Sequence, residues 1–213
     1  MMNVRNIIIS AVLLLVSTVA VAQQLFHGDL LFVVQPRKDG FAGAIAEATN
    51  KASDAQIIHV AIVLRENGET RILEASDEHG VWTCPLDTFL AHVPRTADGT
   101  PSLLVGRVKK RSVVNASVER AKTYIGRPYD WLFSTDEDAI YCSELIQLSY
   151  RTRKGKALFH LQPMSFHDAT GTILPYWTEH YAKRGMTVPE GSPGTNPGDL
   201  SRNRKLRILP YQQ

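Results

Sequence analysis

Cys142 stands in the run Tyr141-Cys142-Ser143-Glu144-Leu145-Ile146, where an amphipathic pattern opens a helix with a thiol in its first turn. A thiol there lies in the positive field of the helix dipole. It also lies beside backbone N–H groups that no helical carbonyl can satisfy, so a thiolate is favoured and a developing oxyanion has donors waiting. That suits acyl chemistry through a covalent thioester. A thiol nucleophile needs a base, and His59 is the candidate, a polar residue set in the apolar run Ile58-His59-Val60-Ala61-Ile62-Val63. Glu74 lies on the far side of Asn67-Gly68, a strong hairpin-turn signal, so strand pairing puts it nearly opposite His59. A carboxylate in that place can fix the imidazole tautomer and stabilise the imidazolium, the third part of a Cys-His-acid arrangement. A strand histidine also occurs as a satisfied core residue, and Glu74 also reads as a solvated strand-end charge.

The chain has two cysteines, and the second, Cys84, lies in Val81-Trp82-Thr83-Cys84-Pro85-Leu86, a strand running into a Pro-initiated helix. A small thiol packs well there without a partner. A Cys84–Cys142 disulfide is the competing reading, and it would consume the nucleophile. No Cys-x-x-Cys or His-x-x-x-His spacing occurs among these residues and the seven histidines, so no metal is predicted. The formal net charge is +3, and the longest basic run is Lys109-Lys110-Arg111, which gives no case for a nucleic-acid partner.

The elements that must position these groups follow from periodicity. Gly28 to Val34 reads as a buried strand after a turn, Gly40 to Lys51 as a helix, and Ile57–Leu64 with Thr70–Ala75 as the hairpin. Val81–Thr83 and Leu103–Val108 complete the strand set. Pro85–Ala91 is a short helix, Arg95–Pro101 an exposed loop, and Val114–Ile125 and Cys142–Arg153 are amphipathic helices, the former closed by Gly126. From Gly155 the periodicity fades into a Pro- and Gly-rich tail expected to be irregular and partly mobile. Ahead of all this, Arg5 and the apolar stretch Ile7–Ala22, ending Ala20-Val21-Ala22, read as a secretory signal peptide cleaved after Ala22, a retained anchor being the alternative. What remains, residues 23–213, suits a single domain with no membrane span, located in the periplasm or secreted.

Four motifs in order carry a family resemblance: Gly28-Asp29-Leu30-Leu31-Phe32, His59-Val60-Ala61-Ile62-Val63, Gly126-Arg127-Pro128-Tyr129-Asp130-Trp131 and Tyr141-Cys142-Ser143-Glu144-Leu145-Ile146. Together they resemble the circularly permuted branch of the NlpC-type papain-like cysteine peptidases, and within it the YiiX/YebB-like proteins. The histidine precedes the cysteine here, which is the permuted order. The resemblance implies an α+β fold, circularly permuted papain-like, with an antiparallel sheet packed against the cysteine-bearing helix. It implies Cys142 as nucleophile, His59 as general base and then acid, Glu74 as the orienting residue, and Tyr129 as a hydroxyl able to help the Cys142 N–H at an oxyanion. Tyr141, also a substrate-side candidate, and Tyr150 are the competing tyrosines, and Tyr129 also reads as an aromatic packing the Pro128 turn. No cofactor is implied. An exported cysteine amidase or peptidase acting on peptidoglycan stem peptides or small acyl-amides is the leading expectation. A fatty-acyl transferase or thioesterase of the lecithin:retinol acyltransferase type, or a catalytically silent ligand-binding protein, are the alternatives. Ile58 stands where relatives often carry a small polar residue. The acidic loop Ser134–Asp138 reads either as a solvated segment or as a receiver for a ligand's amino group.

Overall fold

The computed structural model describes residues 24–35, 40–49 and 56–212, so the predicted signal peptide lies outside the described residues. In chain order the elements are strand β1 (Leu30–Val34), helix α1 (Gly40–Thr49), strands β2 (Ile57–Glu66), β3 (Glu69–Ser76) and β4 (Gly80–Pro85), helix α2 (Leu86–His92) and strand β5 (Leu103–Val108). Helices α3 (Val114–Lys122) and α4 (Cys142–Ser149) follow, then β6 (Gln162–Pro163), α5 (Pro175–Ala182), β7 (Pro193–Gly194), α6 (Pro197–Ser201) and β8 (Leu206–Pro210). β6 and β7 form a small ribbon. The other six strands make one sheet in the order β4-β3-β2-β1-β5-β8, antiparallel at every pairing. This is the α+β architecture that the sequence implies.

Strand alternation sorts the core into two layers. Leu30, Phe32, Val60, Ile62, Leu64, Leu73 and Ala75 pack with α3 and α4, while Leu31, Val33, Ala61, Val63, Ile72 and Cys84 pack with α2. Both sheet faces are therefore buried, which is why β1 and β2 read as unbroken apolar runs. The β2–β3 register sets Ile62 opposite Leu73 and Glu66 opposite Glu69, with Asn67 in the left-handed region at φ 49° and Gly68 at φ 83°, as the Asn-Gly signal requires.

The structure corrects several boundaries. α3 stops at Lys122 and the chain continues through tight turns, with the Thr123, Tyr124 and Ile125 N–H groups donating three residues back, before Gly126 closes it at φ 92°. α4 stops at Ser149 rather than Arg153, because Tyr150 leaves the helix to donate its buried hydroxyl to the Gly28 carbonyl. The larger correction concerns the tail. It is a built part of the fold: α5 and the segment around it add Phe166, Trp177 and Tyr181 to an aromatic cluster with Phe133 and Tyr141, and β8 completes the sheet edge beside β5. α4, expected to be amphipathic, is buried along its whole length, with Ser143 held by Thr195 of that tail and the Ser149 carbonyl by Arg120 of α3. Among the described residues no helix is long and apolar enough to cross a membrane.

Candidate active site

His59 sits where β2 deforms. The β1–β2 register slips between Val33, which pairs with His59, and Val34, which pairs with Ile57, so Ile58 is the extra residue of a bulge. Bulges twist a strand and re-aim its side chains. The β2–β3 register makes Glu74 a diagonal rather than a direct neighbour of His59, and the carboxylate reaches the ring: His59 Nε2 and Glu74 Oε2 are 2.7 Å apart. Glu74 is buried at 7% exposure and accepts a second hydrogen bond, 3.2 Å, from the indole N–H of its cross-strand partner Trp82, whose ring stacks on His79. With Nε2 committed to Glu74, Nδ1 is the nitrogen left for Cys142, and its N–H donates to the sulfur. Burial alone would push the imidazole pKa down. The hydrogen bond and charge of Cys142 and then those of Glu74 outweigh it, and the His59 pKa is pushed up to about 10.

Cys142 is the first residue of α4, which approaches β2 and β3 from the sheet face opposite α2. The first-turn N–H groups of a helix have no acceptor within it, so they face the region above the thiol. Glu144 reaches back to the Tyr141 N–H at 3.4 Å, one half of a capping box, but it is buried, and burial followed by the charges of Asp130, Asp136 and Glu137 lifts its pKa to about 8. Both cysteines are free and buried, so the disulfide reading falls. Burial, with the charge of Glu74 adding to it, raises the Cys84 pKa to about 11, so that thiol stays protonated at neutral pH.

The loop carrying Tyr129 is pinned from two sides. Gly80, at φ 67°, lets β4 pass so close to Arg127 that a Cβ would lie 2.3 Å from its carbonyl oxygen, and that oxygen accepts from the Val81 N–H. On the other side the Ile140 N–H donates to the Pro128 carbonyl, while Asp130, 4% exposed, accepts from Leu132 and Ser134. Tyr129 thereby comes to lie beside the thiol. Burial first, then the neighbouring Cys142 charge, raises its pKa, so its hydroxyl keeps its proton.

Two cavities meet at this point. A larger one of about 320 Å³ is bounded by His59, Glu74 and Trp82, and a smaller one of about 50 Å³ by Cys142, Tyr141, Met164 and Trp177. Ile45, Ile58 and Tyr129 border both, so they form the ridge between them, and Ile58 is the wall that the sequence left open. Tyr141 turns its ring to the smaller cavity while its hydroxyl accepts from the Thr195 N–H at 3.0 Å. The Thr195 hydroxyl in turn donates to Ser143 at 2.9 Å. The acidic loop Ser134–Asp138 borders neither cavity; Glu137 accepts from the Tyr124 hydroxyl and Asp138 pairs with Arg127.

Sequence reasoning missed Trp82, Thr195, Met164 and Trp177. Trp82 had a findable signal, since the β3–β4 pairing sets it opposite Glu74. The other three come from the tail, where no periodicity announces them.

Residues 24–209 match the family model described as permuted papain-like amidase enzyme, YaeF/YiiX, C92 family. The chain belongs to that family. It is a cysteine hydrolase with a circularly permuted papain-like fold, and its class of reaction is amide hydrolysis. The uncharacterized protein YiiX of Escherichia coli strain K12 is 29% identical over 177 residues, which is 80% of each chain. The crystal structure of the metalloprotein yiiX from Escherichia coli O157:H7 superposes with a TM-score of 0.68 at 24% identity, over 87% of this chain and 97% of that one, a likeness of fold. Among the described residues no group of three or more His, Cys, Asp or Glu is placed to hold a metal ion.

Proposed function

We propose that this member of the amidase family is exported and hydrolyses amide bonds in cell-wall stem peptides or related small acyl-amides, through Cys142, His59 and Glu74. The observation that carries the reading is His59, which bridges the helix thiol on one side and the buried Glu74 carboxylate, at 2.7 Å, on the other. Export rests on the apolar stretch Ile7–Ala22 and its small-residue end.

The proton of the Cys142 thiol rests on His59 Nδ1 before substrate arrives, as the raised His59 pKa favours, and the sulfur attacks the amide carbonyl carbon to form a tetrahedral intermediate. Its oxyanion is met by first-turn N–H groups of α4 and by the Tyr129 hydroxyl, donors fixed before the reaction begins. Tyr141, its hydroxyl engaged by Thr195, faces substrate with its ring. As the C–N bond breaks, the imidazolium returns its proton to the leaving amine. His59 then takes a proton from water, whose oxygen attacks the thioester and releases the acid and the free thiol. Glu74, held also by Trp82, keeps Nδ1 aimed at sulfur and balances the imidazolium charge.

Release of amines from fragmented peptidoglycan and from a panel of acyl-amides tests this, with the protein compared against Cys142→Ala and Cys84→Ala. Cleavage by the unmodified chain and by Cys84→Ala, and none by Cys142→Ala, is expected. Equal cleavage by all three would remove Cys142 from the mechanism.

A further inference from the structure

The two cavities flank the scissile bond unequally, and their chemistry says which half of a substrate each receives. His59 must protonate the departing amine, so the amine portion lies on its side, over the larger cavity. The acyl portion stays bonded to sulfur and lies on the Cys142 side, over the smaller one. This assignment rests on the amidase reading above. The smaller cavity holds about 50 Å³ against about 320 Å³ for the larger, so the acyl side offers far less room than the amine side.

Its walls are fixed rather than adaptable. The Phe133, Phe166 and Trp177 rings interlock edge-on at 5.2–5.6 Å between centroids, and Phe133 meets Tyr141 in the same way at 5.3 Å. Met164 closes the box. Its backbone is tied to Ser192 and Gly191, and its side chain lies against Gly194 so closely that a Cβ there would come within 2.3 Å of the sulfur. Gly194 is therefore what allows the thioether to occupy this place, where the long, unbranched Met164 side chain bounds the cavity.

We propose that Met164 and the aromatic box behind it make this enzyme selective for amides whose carbonyl carries a small apolar group, with bulk tolerated on the amine side. A long acyl chain or an aromatic side chain fits worse beside Cys142 than a methyl group does. One methylene in an apolar pocket is worth about 10-fold to 200-fold in discrimination, so the difference between a methyl and a benzyl group is easily read.

The test is the rate at which Cys142 of the full chain is labelled by acetyl-alanyl and acetyl-phenylalanyl chloromethyl ketones, followed by intact mass and referenced to iodoacetamide. The alanyl reagent should react at least about 10-fold faster, Met164→Ala should raise the phenylalanyl-to-alanyl ratio by about 10-fold, and Met164→Leu should leave the ratio close to that of the unmodified protein. Equal rates for the two reagents on the unmodified protein overturn the proposal, whether or not Met164→Ala folds, and so does a ratio that a folded Met164→Ala leaves unmoved. Failure of the amidase reading looks different. In that case labelling stays size-selective while no amide is turned over, and the pocket assignment stands. Hydrolysis of amides irrespective of acyl size would sink the pocket alone.

Discussion

The charge state of His59 is the most consequential number at this site, and it can be moved from either side. Its pKa stands at about 10 against an ordinary 6.5, a difference worth on the order of 5 kcal/mol between the two protonation states. Burial opposes that rise, so the favourable interactions with Cys142 and Glu74 exceed it, Cys142 being the larger. Cys142→Ser exchanges the thiol for a neutral hydroxyl and should lower the His59 pKa by more than half of the rise. Glu74→Gln keeps an acceptor for Nε2–H but removes the charge, and should lower it by about one to two pH units. A titration of the His59 Cε1 proton by NMR in the three proteins reads these shifts without needing a substrate. The same difference appears in stability. A histidine whose folded pKa is raised contributes stability that is complete below about 6.5 and is lost as pH climbs to about 10. The melting temperature of the unmodified chain should therefore fall across that window, and that of Cys142→Ser should fall less. A His59 that titrates near 6.5 in the unmodified protein, or one that Cys142→Ser leaves unmoved, would refute the bridged arrangement.

Glu144 gives the opposite manipulation: its raised pKa means that ionising the buried carboxyl costs stability progressively from about pH 4.5 to about 8, on the order of 5 kcal/mol at the upper end. Glu144→Gln should thus melt at nearly the same temperature as the parent at pH 4 and several degrees above it at pH 8 or higher, as followed by circular dichroism. Thr195→Val keeps the backbone donor to Tyr141 but leaves the buried Ser143 hydroxyl without its partner, and should lower stability by about 1–3 kcal/mol in a denaturant titration. Trp82→Phe removes one of the two donors to Glu74, and hydrolysis should fall by about 10-fold with the Cys142 labelling rate by iodoacetamide following it, since both depend on where Glu74 holds His59.

What the sequence made legible, and what it did not, divides along a physical line. β1, β2 and β3 are carried by local signals, a run of apolar residues and an Asn-Gly turn, and those signals alone bring Glu74 to within one diagonal step of His59. The helix start at Cys142 is likewise local. Ile58 shows the first limit: the bulge that re-aims His59 depends on how β1 and β2 pair, and no residue type near it requires the extra step. β8 shows the second. Leu206-Arg-Ile-Leu-Pro210 is short, carries a charge and ends in proline, features that belong to an edge strand and are read from sequence as loop, and only the open edge of β5 makes it a strand. The tail matters most because its information is entirely tertiary. Thr195 holds the Tyr141 hydroxyl and Ser143 on either side of the nucleophile, and Met164 and Trp177 bound the cavity beside it, yet each sits in a Pro- and Gly-rich stretch without period. The buried polar residues of α4 carried the one available hint. Ser143, Glu144, Gln147 and Ser149 look like solvent-facing residues yet all are buried: Thr195 of the tail donates to Ser143 and Arg120 of α3 to the Ser149 carbonyl, so the helix that begins with a reactive thiol is held still from more than one side.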